Sequence, residues 1–497
     1  MLTRRVRPLV ALSLACLVAP ACGDDSAAST ASSATTGGSA TTGDSGDSGS
    51  SGASGASDAS TTDATTADAS STTAAGDADV TWYQHVQPII AERCWACHSA
   101  EGALSFSLET YDVAQQFAPL MLEKIVGSDS PPYYMPPFLA RESAACTPEV
   151  PWRDDPRLSD AEIATLEAWI AAGKPEGDPA DAAPIPDWKP EALGGDTLAT
   201  IESAGYTLAA DVKEDQYRCF SLGTALDAPV WLTGLQVNPG DPAVVHHVVL
   251  FSDPNGDSAA LAQDEGSYPC FGGAGVQDSS VLYAWAPGGN PLELPTDAGI
   301  PLQPGERVVM QVHYHPTGAA TTDKTSLTVR WTDAKPAREA LMAIIGGVHI
   351  AQTNSKSWDD PPFLIPAGAE NHVETWRETL NVPPADIRIW SIFPHMHLVG
   401  ASMEVTLEHD GAEACLAPLP HWDFDWQRTY VYDAPFSELP RVQNGDVLKV
   451  RCTYNNSLSN QGLAKALAEE GIGAPIDMQV GEDTLDEMCV AIVGIMY

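Results

Sequence analysis

Two histidines stand side by side in AVVHHVVLF, a stretch whose β-branched composition otherwise predicts a buried strand. Successive side chains of a strand point to opposite faces, so His246 and His247 cannot both enter one core. The stretch QVHYHP places His313 and His315 on another predicted strand. Because imidazole commonly binds transition metals, the pattern indicates a metal site shared by two strands. His315 precedes a proline and is alternatively only a surface residue.

A second group of candidate ligands lies nearer the C-terminus. His395 and His397 in FPHMHLVG are two residues apart, so they project from the same face of a strand. Met488 in TLDEMCVAIVGIMY adds a thioether. Imidazole and thioether ligands favour copper, and zinc is the alternative ion, for which a methionine ligand would be unusual. The other histidines stand alone and are interpreted as structural: His85, His349, His372, His409 and His421.

A third motif, in QPIIAERCWACHSAEG, combines Cys94 and Cys97 with the adjacent His98. This C-x-x-C-H pattern is the attachment signature of c-type haem, in which two thioethers hold the porphyrin and the histidine binds iron. A bare C-x-x-C would equally fit a redox or zinc pair, but the adjoining histidine favours haem. The second axial ligand is expected to be Met135, in the proline-stiffened loop PPYYMPPF, in preference to Met121 in a predicted helix.

The haem motif lies in a region of helical patterning. Pro88 suits the first turn of a helix that leads into the motif. The stretch LSDAEIATLEAWIAAGKP predicts a helix with a capping box from Ser159 to Glu162 and Gly173 at its end. With the motif, the methionine loop and this final helix in order, residues 79–180 resemble a class I cytochrome c. We therefore expect an all-α cytochrome c domain here.

The remaining two thirds of the chain has a different pattern. Short β-branched runs alternate with Gly, Pro and Asp turns, and helical periodicity is scarce. This pattern predicts antiparallel β-sandwiches. We expect two all-β, jelly-roll-like sandwiches, over residues 198–335 and 336–497.

From about residue 200 onward, five ordered motifs resemble the type II copper monooxygenases, the family of peptidylglycine α-hydroxylating and dopamine β-monooxygenases. They are HHVVLF, LYAWAPGGNPLELP followed by QVHYHP, PHMHLVG, and RCTYNN with a closing DEMC. The resemblance implies N- and C-terminal copper monooxygenase sandwiches that bind two copper ions. It assigns an electron-transfer copper to His246, His247 and His313. It assigns the oxygen-activating copper, and with it catalysis, to His395, His397 and Met488.

The resemblance also carries expectations about details. It implies that the two adjacent histidines bind through different ring nitrogens. It also gives Gln311 a place in the path between the coppers; the alternative is that Gln311 is an ordinary glutamine on the strand surface. The implied disulfides are Cys219–Cys270 and Cys452–Cys489. Cys146 and Cys415 remain, either as a pair across domains or as free thiols.

Three positions separate this chain from the peptidylglycine enzymes. Those enzymes use Arg, Asn and Tyr where this sequence has Phe393, Val490 and Ile492. A buried substrate carboxylate would find no partner among such side chains. We therefore expect a small, apolar substrate and not a peptidylglycine, although the same residues would equally fill a core.

The N-terminal region predicts export. The stretch MLTRRVRPLVALSLACLVAPAC has a basic start, a short apolar run and a cysteine. Residues 1–22 resemble a bacterial lipoprotein signal peptide with Cys22 as the lipidated residue; an ordinary signal peptide is the alternative. Residues 23–78 contain mainly Ser, Thr, Gly, Ala and Asp and predict a disordered tether. We expect a lipoprotein anchored to a membrane in the periplasm or at the cell surface.

The net charge of −42 excludes nucleic acid as a partner. The motifs together predict a membrane-tethered dicopper monooxygenase that hydroxylates a C–H bond with O2. Its own haem c would deliver electrons from an upstream cytochrome or quinol-linked donor. One alternative is a periplasmic copper-binding or copper-reducing electron-transfer protein without hydroxylase activity. A third interpretation is a cytochrome on a structural β-module that binds no copper.

Overall fold

The computed structural model describes residues 80–100, 106–128, 130–185, 192–223, 226–270, 273–287, 289–346, 363–481 and 485–497. All of them fall within one compact unit. The predicted signal peptide, the tether, the lipidation site Cys22 and the isolated His349 lie outside these residues. Among the helices in the described ranges, none has the length and apolar character needed to cross a bilayer.

Helices predominate in residues 80–185. After a π-helical turn (Trp82–Val86), the chain forms α1 (Gln87–Arg93), α2 (Tyr111–Val126) and α3 (Asp160–Ala171). Later helices are α4 (Ser258–Ala262) and α5 (Gln461–Glu469), with 3-10 turns at Pro179–Asp181, Gln263–Glu265, Phe424–Trp426 and Phe436–Glu438.

The local signals for these helices are confirmed. Pro88 lies in the first turn of α1. The capping box between Ser159 and Glu162 is formed at the start of α3. Gly173 follows the end of α3 with φ of +83°, a left-handed conformation that glycine adopts without a steric cost. The three helices enclose a small apolar core that includes Ile90, Leu166 and Trp169.

The first β-region contains two main sheets. Its strands are β1 (Leu198–Glu202), β2 (Tyr206–Leu208), β3 (Gln216–Gly223), β4 (Val230–Asn238), β5 (Val245–Asp253), β6 (Ser267–Pro269), β7 (Val281–Trp285), β8 (Leu292–Glu293), β9 (Ala298–Leu302), β10 (Arg307–Tyr314), β11 (Thr321–Asp323) and β12 (Ser326–Thr332). One sheet has the order β6-β3-β10-β5-β7, and the other begins β1-β12-β4-β9, with β8 also on β4. β2 and β11 form a separate pair.

The second β-region repeats this arrangement. Its strands are β13 (Arg338–Ile345), β14 (Leu364–Ile365), β15 (His372–Thr379), β16 (Ile387–His395), β17 (Gly400–His409), β18 (Ala412–Leu419), β19 (Tyr430–Val431), β20 (Arg441–Val442), β21 (Val447–Tyr454), β22 (Met478–Gln479) and β23 (Val490–Met496). One sheet has the order β15-β21-β17-β18, and the other is β13-β23-β16-β19, with β20 on β16. β14 pairs with β22.

The two β-regions share one sheet. β9 and β13 pair in parallel, with Arg338 opposite Ala298 and Glu339 opposite Gly299. This short ladder joins the two halves into a sheet of ten strands. The buried side chains of both regions belong to one continuous apolar core. The two halves therefore meet through backbone hydrogen bonds and through packing.

Part of the predicted cytochrome region packs into the β core. Phe138 and Trp152 belong to this core and not to the core of the helices. The Trp152 ring stacks on Tyr432 with ring centres 4.7 Å apart. Cys146 forms a disulfide with Cys415 across a sequence separation of 269 residues. These two cysteines are therefore a pair and not free thiols. The segment after Met135 is thus bound to the second β-region by covalent and apolar contacts.

Candidate active site

The first histidine group lies on two neighbouring strands of the five-stranded sheet. β5 carries His246 and His247, and β10 carries His313 directly opposite His247. The Nδ1 atom of His247 lies 3.3 Å from Nδ1 of His246 and 3.3 Å from Nδ1 of His313. Imidazole nitrogens bind metal ions at about 2.0 Å, so three around one ion would lie roughly 3.4 Å apart. The cluster therefore fits one metal ion.

The three rings present the same nitrogen to one another. The implied use of different ring nitrogens by the adjacent histidines is wrong, because the group is built from Nδ1 atoms alone. The Nε2 atoms of two rings face carboxylates: Nε2 of His313 is 2.9 Å from Asp215, and Nε2 of His246 is 3.4 Å from Asp425. A proton held on Nε2 leaves the Nδ1 lone pair for a metal.

Charge and burial favour the neutral, metal-binding form of these rings. Burial and the neighbouring imidazoles hold the pKa of His247 well below its usual value. Burial also lowers the pKa of His313, although the bond to Asp215 opposes the shift. Burial tends to raise the pKa of Asp215, but hydrogen bonds from His313 and His315 lower it overall. The exposed His315 binds Asp215 through Nδ1 at 2.8 Å and is not part of the cluster.

The second histidine group lies at the end of β16. The rings of His395 and His397 have centres 5.1 Å apart. Nδ1 of His395 donates to the side-chain oxygen of Gln427 at 2.6 Å, and Nδ1 of His397 donates to the carbonyl of Asp486 at 3.0 Å. With protons on Nδ1, both rings carry their lone pair on Nε2. The two groups thus use opposite ring nitrogens.

A buried carboxylate ties the predicted methionine ligand to this group. Glu487 is fully buried and accepts the backbone N–H groups of His397, Val399 and Met488, each at 2.9 Å. Burial raises the pKa of Glu487 to about 8. The Met488 side chain is buried, and its residue lies just before β23, in which Val490 pairs with His395. The structure therefore brings the segments bearing all three predicted ligands to one end of the β16–β23 ladder.

A cavity of about 360 Å³ adjoins the C-x-x-C-H motif. Cys94, Cys97 and His98 line it, as do both candidate methionines, Met121 and Met135. Its size is within the range of cofactor sites. Nδ1 of the His98 ring is buried and has no hydrogen-bond partner among the described residues. The structure does not by itself choose between the two methionines, so Met135 as the iron ligand stays a prediction.

The buried cysteine pair lacks the lowered thiol pKa of a redox dithiol, and the cavity rim has exposed apolar side chains. Burial raises the pKa of the Cys94 thiol to about 12, and burial also raises that of Cys97. Redox dithiols need the opposite shift, because the thiolate is the reactive form. Phe106 and Leu120 line the cavity and remain 40% and 47% exposed. A planar apolar group in the cavity would cover such side chains.

The sequence-based reasoning did not single out several residues that support the two histidine groups. Asp215 and Gln427 hold histidine rings, and Glu487 holds two ligand-bearing segments. A signal was present for two of them, since Gln427 follows the acidic and aromatic run HWDFDW and Glu487 precedes Met488 directly. Gln311 is buried and does not lie on the strand surface; its Nε2 donates to the carbonyl of Gly273 at 3.3 Å.

The four predicted disulfide cysteines are paired as the resemblance implies. Cys219 bonds to Cys270, and Cys452 bonds to Cys489. The second bond fixes the residue after Met488 to β21. The structure leaves Cys94 and Cys97 as the free cysteines of the described residues.

Comparison with known families agrees with this geometry. Residues 208–320 match the N-terminal domain of the copper type II ascorbate-dependent monooxygenases, and residues 365–497 match their C-terminal domain. In these two regions the chain is similar to that family of copper-dependent monooxygenases. Together they contain both histidine groups and Met488.

Individual relatives are hydroxylases or monooxygenases by name. Rat dopamine beta-hydroxylase is 27% identical over 274 residues, which cover 51% of this chain and 38% of that protein. Human DBH-like monooxygenase protein 1 is 27% identical over 231 residues, which cover 44% of this chain and 36% of that protein. Tyramine beta-hydroxylase of Caenorhabditis briggsae is 23% identical, with coverage of 44% and 36%. The chain thus spans well under half the length of these curated relatives.

Among solved structures, the major capsid protein P2 of bacteriophage PM2 aligns over 60% of this chain. Its identity is 10% and its TM-score is 0.21, so it adds nothing to the account of the fold.

Proposed function

We propose that this protein is a copper monooxygenase that hydroxylates a C–H bond of a small, apolar organic substrate with O2. The observation that carries the proposal is the presence of two histidine groups of different chemistry that both contact one aromatic ring. Phe424 lies 5.8 Å from the ring of His246 and 6.4 Å from the ring of His397. A storage protein does not require two unlike sites this close together.

The residues fit copper in both places. His246, His247 and His313 would hold one ion through Nδ1, and His395, His397 and Met488 would hold the other. Copper supplies one-electron redox chemistry and O2 activation when bound, and the thioether favours Cu(I) at the second site. Asp215 and Gln427 keep the ring protons away from the ligand nitrogens, and Glu487 fixes the backbone that carries His397 and Met488.

The substrate preference is argued from the side chains next to the second group. Phe393 is paired with Ile492 across β16 and β23, and both are buried, as is Val490. These side chains offer no charge and no hydrogen bond to a carboxylate, which costs free energy when buried without a partner. They support an apolar substrate and speak against a peptidylglycine.

We further propose that a haem c held by Cys94, Cys97, His98 and Met135 supplies the electrons. Haem contributes reversible one-electron transfer when it is attached. The cavity is lined by residues of the β-region as well as by the helices, among them Trp426 and Arg428. This shared wall supports an electron donor built into the same chain, which is re-reduced by an upstream cytochrome or quinol-linked donor.

The proposed setting is outside the cytoplasm. Residues 1–22 would direct export and lipidation of Cys22, and residues 23–78 would act as a tether to the membrane. Three disulfides support an oxidising compartment, because such bonds are rare in the cytosol. The periplasm and the cell surface both meet this condition.

The test of the proposed activity replaces Met488 by leucine, a volume-conserving change that most cores tolerate. Met403→Leu, at another buried methionine, is the matched control. Each copper-loaded holoprotein is supplied with isotopically labelled dioxygen and a panel of small aromatic and aliphatic compounds. We expect labelled hydroxylated product from the wild type and the control. In Met488→Leu we expect product formation to fall by roughly 100-fold or more, because even loss of a residue that hydrogen-bonds to a metal ligand costs about 10- to 100-fold in activity.

The same experiment separates an enzyme from a copper-binding electron-transfer protein. If the wild type binds two coppers and accepts electrons at the haem but forms no labelled product from any compound, the alternative function is favoured. Equal product formation by Met488→Leu and Met403→Leu would contradict the assigned role of the thioether.

A further inference from the structure

One short segment, Phe424–Arg428, touches both the haem cavity and the histidine groups. Trp426 and Gln427 line the cavity. The Gln427 side chain is buried, and its Nε2 donates to the carbonyl of Phe424 at 3.0 Å. Its Oε1 accepts from Nδ1 of His395 at 2.6 Å. Gln427 is therefore a wall of the haem cavity and the hydrogen-bond partner of a predicted copper ligand at once.

The polar contact of this segment with the first histidine group is longer than the bond to His395, and it lies outside the cavity wall. Asp425 approaches Nε2 of His246 at 3.4 Å, and the Asp425 side chain is 73% exposed. Asp425 is not among the residues that line the cavity. From Trp426 the route to the first group passes through Asp425 and a long contact of 3.4 Å, and the only other approach within this described segment is the Phe424 ring, whose centre is 5.8 Å from that of the His246 ring. The route to the second group needs only one side chain and one short hydrogen bond.

We propose that electrons from the haem enter the copper centres at the His395–His397 group, through Gln427, without passing through the His246 group. This inference rests on the proposed haem and copper sites and names the order in which they are reduced. In the step, ferrous haem becomes ferric and Cu(II) becomes Cu(I). No bond forms or breaks and no proton needs to move. A second electron requires that an external one-electron donor reduce the haem again.

Gln427 is well suited to such a connection. Its amide is uncharged, so it does not titrate and can bind His395 in the same way before and after electron transfer. Both of its polar ends are held, one by His395 and the other by the Phe424 carbonyl. An amide fixed at both ends keeps a constant path between the cavity and the ring. In this role Gln427 is a positioning residue, since it acts through His395.

The test follows ferrous haem directly in copper-loaded, full-length holoprotein without O2 or substrate. Pulses of photochemically generated flavin semiquinone reduce the haem by one electron. The decay of the ferrous absorbance, together with loss of the Cu(II) resonance signal, then reports transfer to copper. Haem and copper contents are measured first on the same samples. We expect Gln427→Leu to slow this decay by roughly 10-fold or more, as for other partners of ligand histidines. We expect Gln427→Glu, which keeps an acceptor oxygen, to restore most of the rate.

A second variant tests the order independently of Gln427. His313→Ala removes a ligand of the first group, and we expect it to bind one copper fewer while the fast haem decay persists. Loss of the fast decay in His313→Ala would overturn the inference, and so would a wild-type rate in Gln427→Leu. A wild type that lacks haem or copper contradicts the proposed function itself, and this is seen from the metal contents before any rate is measured.

Discussion

At the level of single residues, each histidine group is specified by the atoms that hold its rings. The Nε2–H of His313 donates to Asp215, whereas the Nδ1–H of His395 donates to Gln427. A charged acceptor raises the basicity of the ligand ring more than a neutral amide does. The two groups are thus made different by their supporting residues, in addition to the thioether of Met488.

The first prediction concerns Asp215. We expect Asp215→Asn to weaken copper binding at the first group by roughly 10- to 100-fold, because the asparagine cannot supply the charge that orients His313. Asp211→Asn, at an exposed position of the same loop, is the control. Competition titrations with a copper chelator would measure the copper affinity of both variants. Equal affinities in the two variants would show that Asp215 is only a surface acid.

The second prediction concerns the haem iron. We expect Met135→Leu to abolish the methionine-ligated haem spectrum and to lower the midpoint potential, since a methionine ligand raises it. Met121→Leu should leave both unchanged, although Met121 lines the same cavity. Optical spectra and a potentiometric titration are the measurements. The reverse outcome would assign the ligand to α2 instead of the loop.

At the level of secondary-structure elements, the segment between the methionine loop and α3 is the connection that matters most. Phe138 packs edge-on against Tyr430 at 5.1 Å, and the backbone of Trp152 pairs with Tyr432. Cys146 adds a covalent bond to β18. The loop that carries Met135 is thus anchored to the second β-region close to residues 424–428.

The third prediction tests this anchor. We expect the double variant Cys146→Ala, Cys415→Ala to lose roughly 2–5 kcal/mol of stability, because a long closed loop is released in the unfolded chain. Thermal unfolding would show a lowered midpoint, and limited proteolysis would show earlier cleavage between the helices and the β-regions. The haem spectrum of the folded variant should not change. An unaltered midpoint would mean that the aromatic contacts alone hold the segment.

Local features of these elements could be predicted from the residues themselves, whereas long-range pairs such as Cys219–Cys270 were anticipated only through the family resemblance. The capping box of α3 and the His-x-His spacing depend on residues within a few positions of one another. The β9–β13 pairing joins residues about forty positions apart in a chain with many similar strands, so no local pattern marks it. The ring nitrogens of His313 were also not predictable, because Asp215 lies 98 residues away.

At the scale of the whole molecule, the described helices and both β-regions belong to one compact unit. The shared ten-stranded sheet joins the β-regions, and the Cys146–Cys415 bond with its aromatic neighbours joins the helical region to them. The cavity beside the C-x-x-C-H motif is therefore walled in part by Gln427, the hydrogen-bond partner of His395. This shared wall is the basis of the proposed electron transfer within one chain.

The copper-to-haem ratio of protein reconstituted with copper and then dialysed tests this account most directly. Metal analysis combined with the haem absorbance gives the ratio without knowledge of the substrate. We expect two coppers per haem, and one copper fewer in His313→Ala. A ratio of zero would contradict the copper monooxygenase, and a ratio of one would contradict the assignment of one of the two histidine groups.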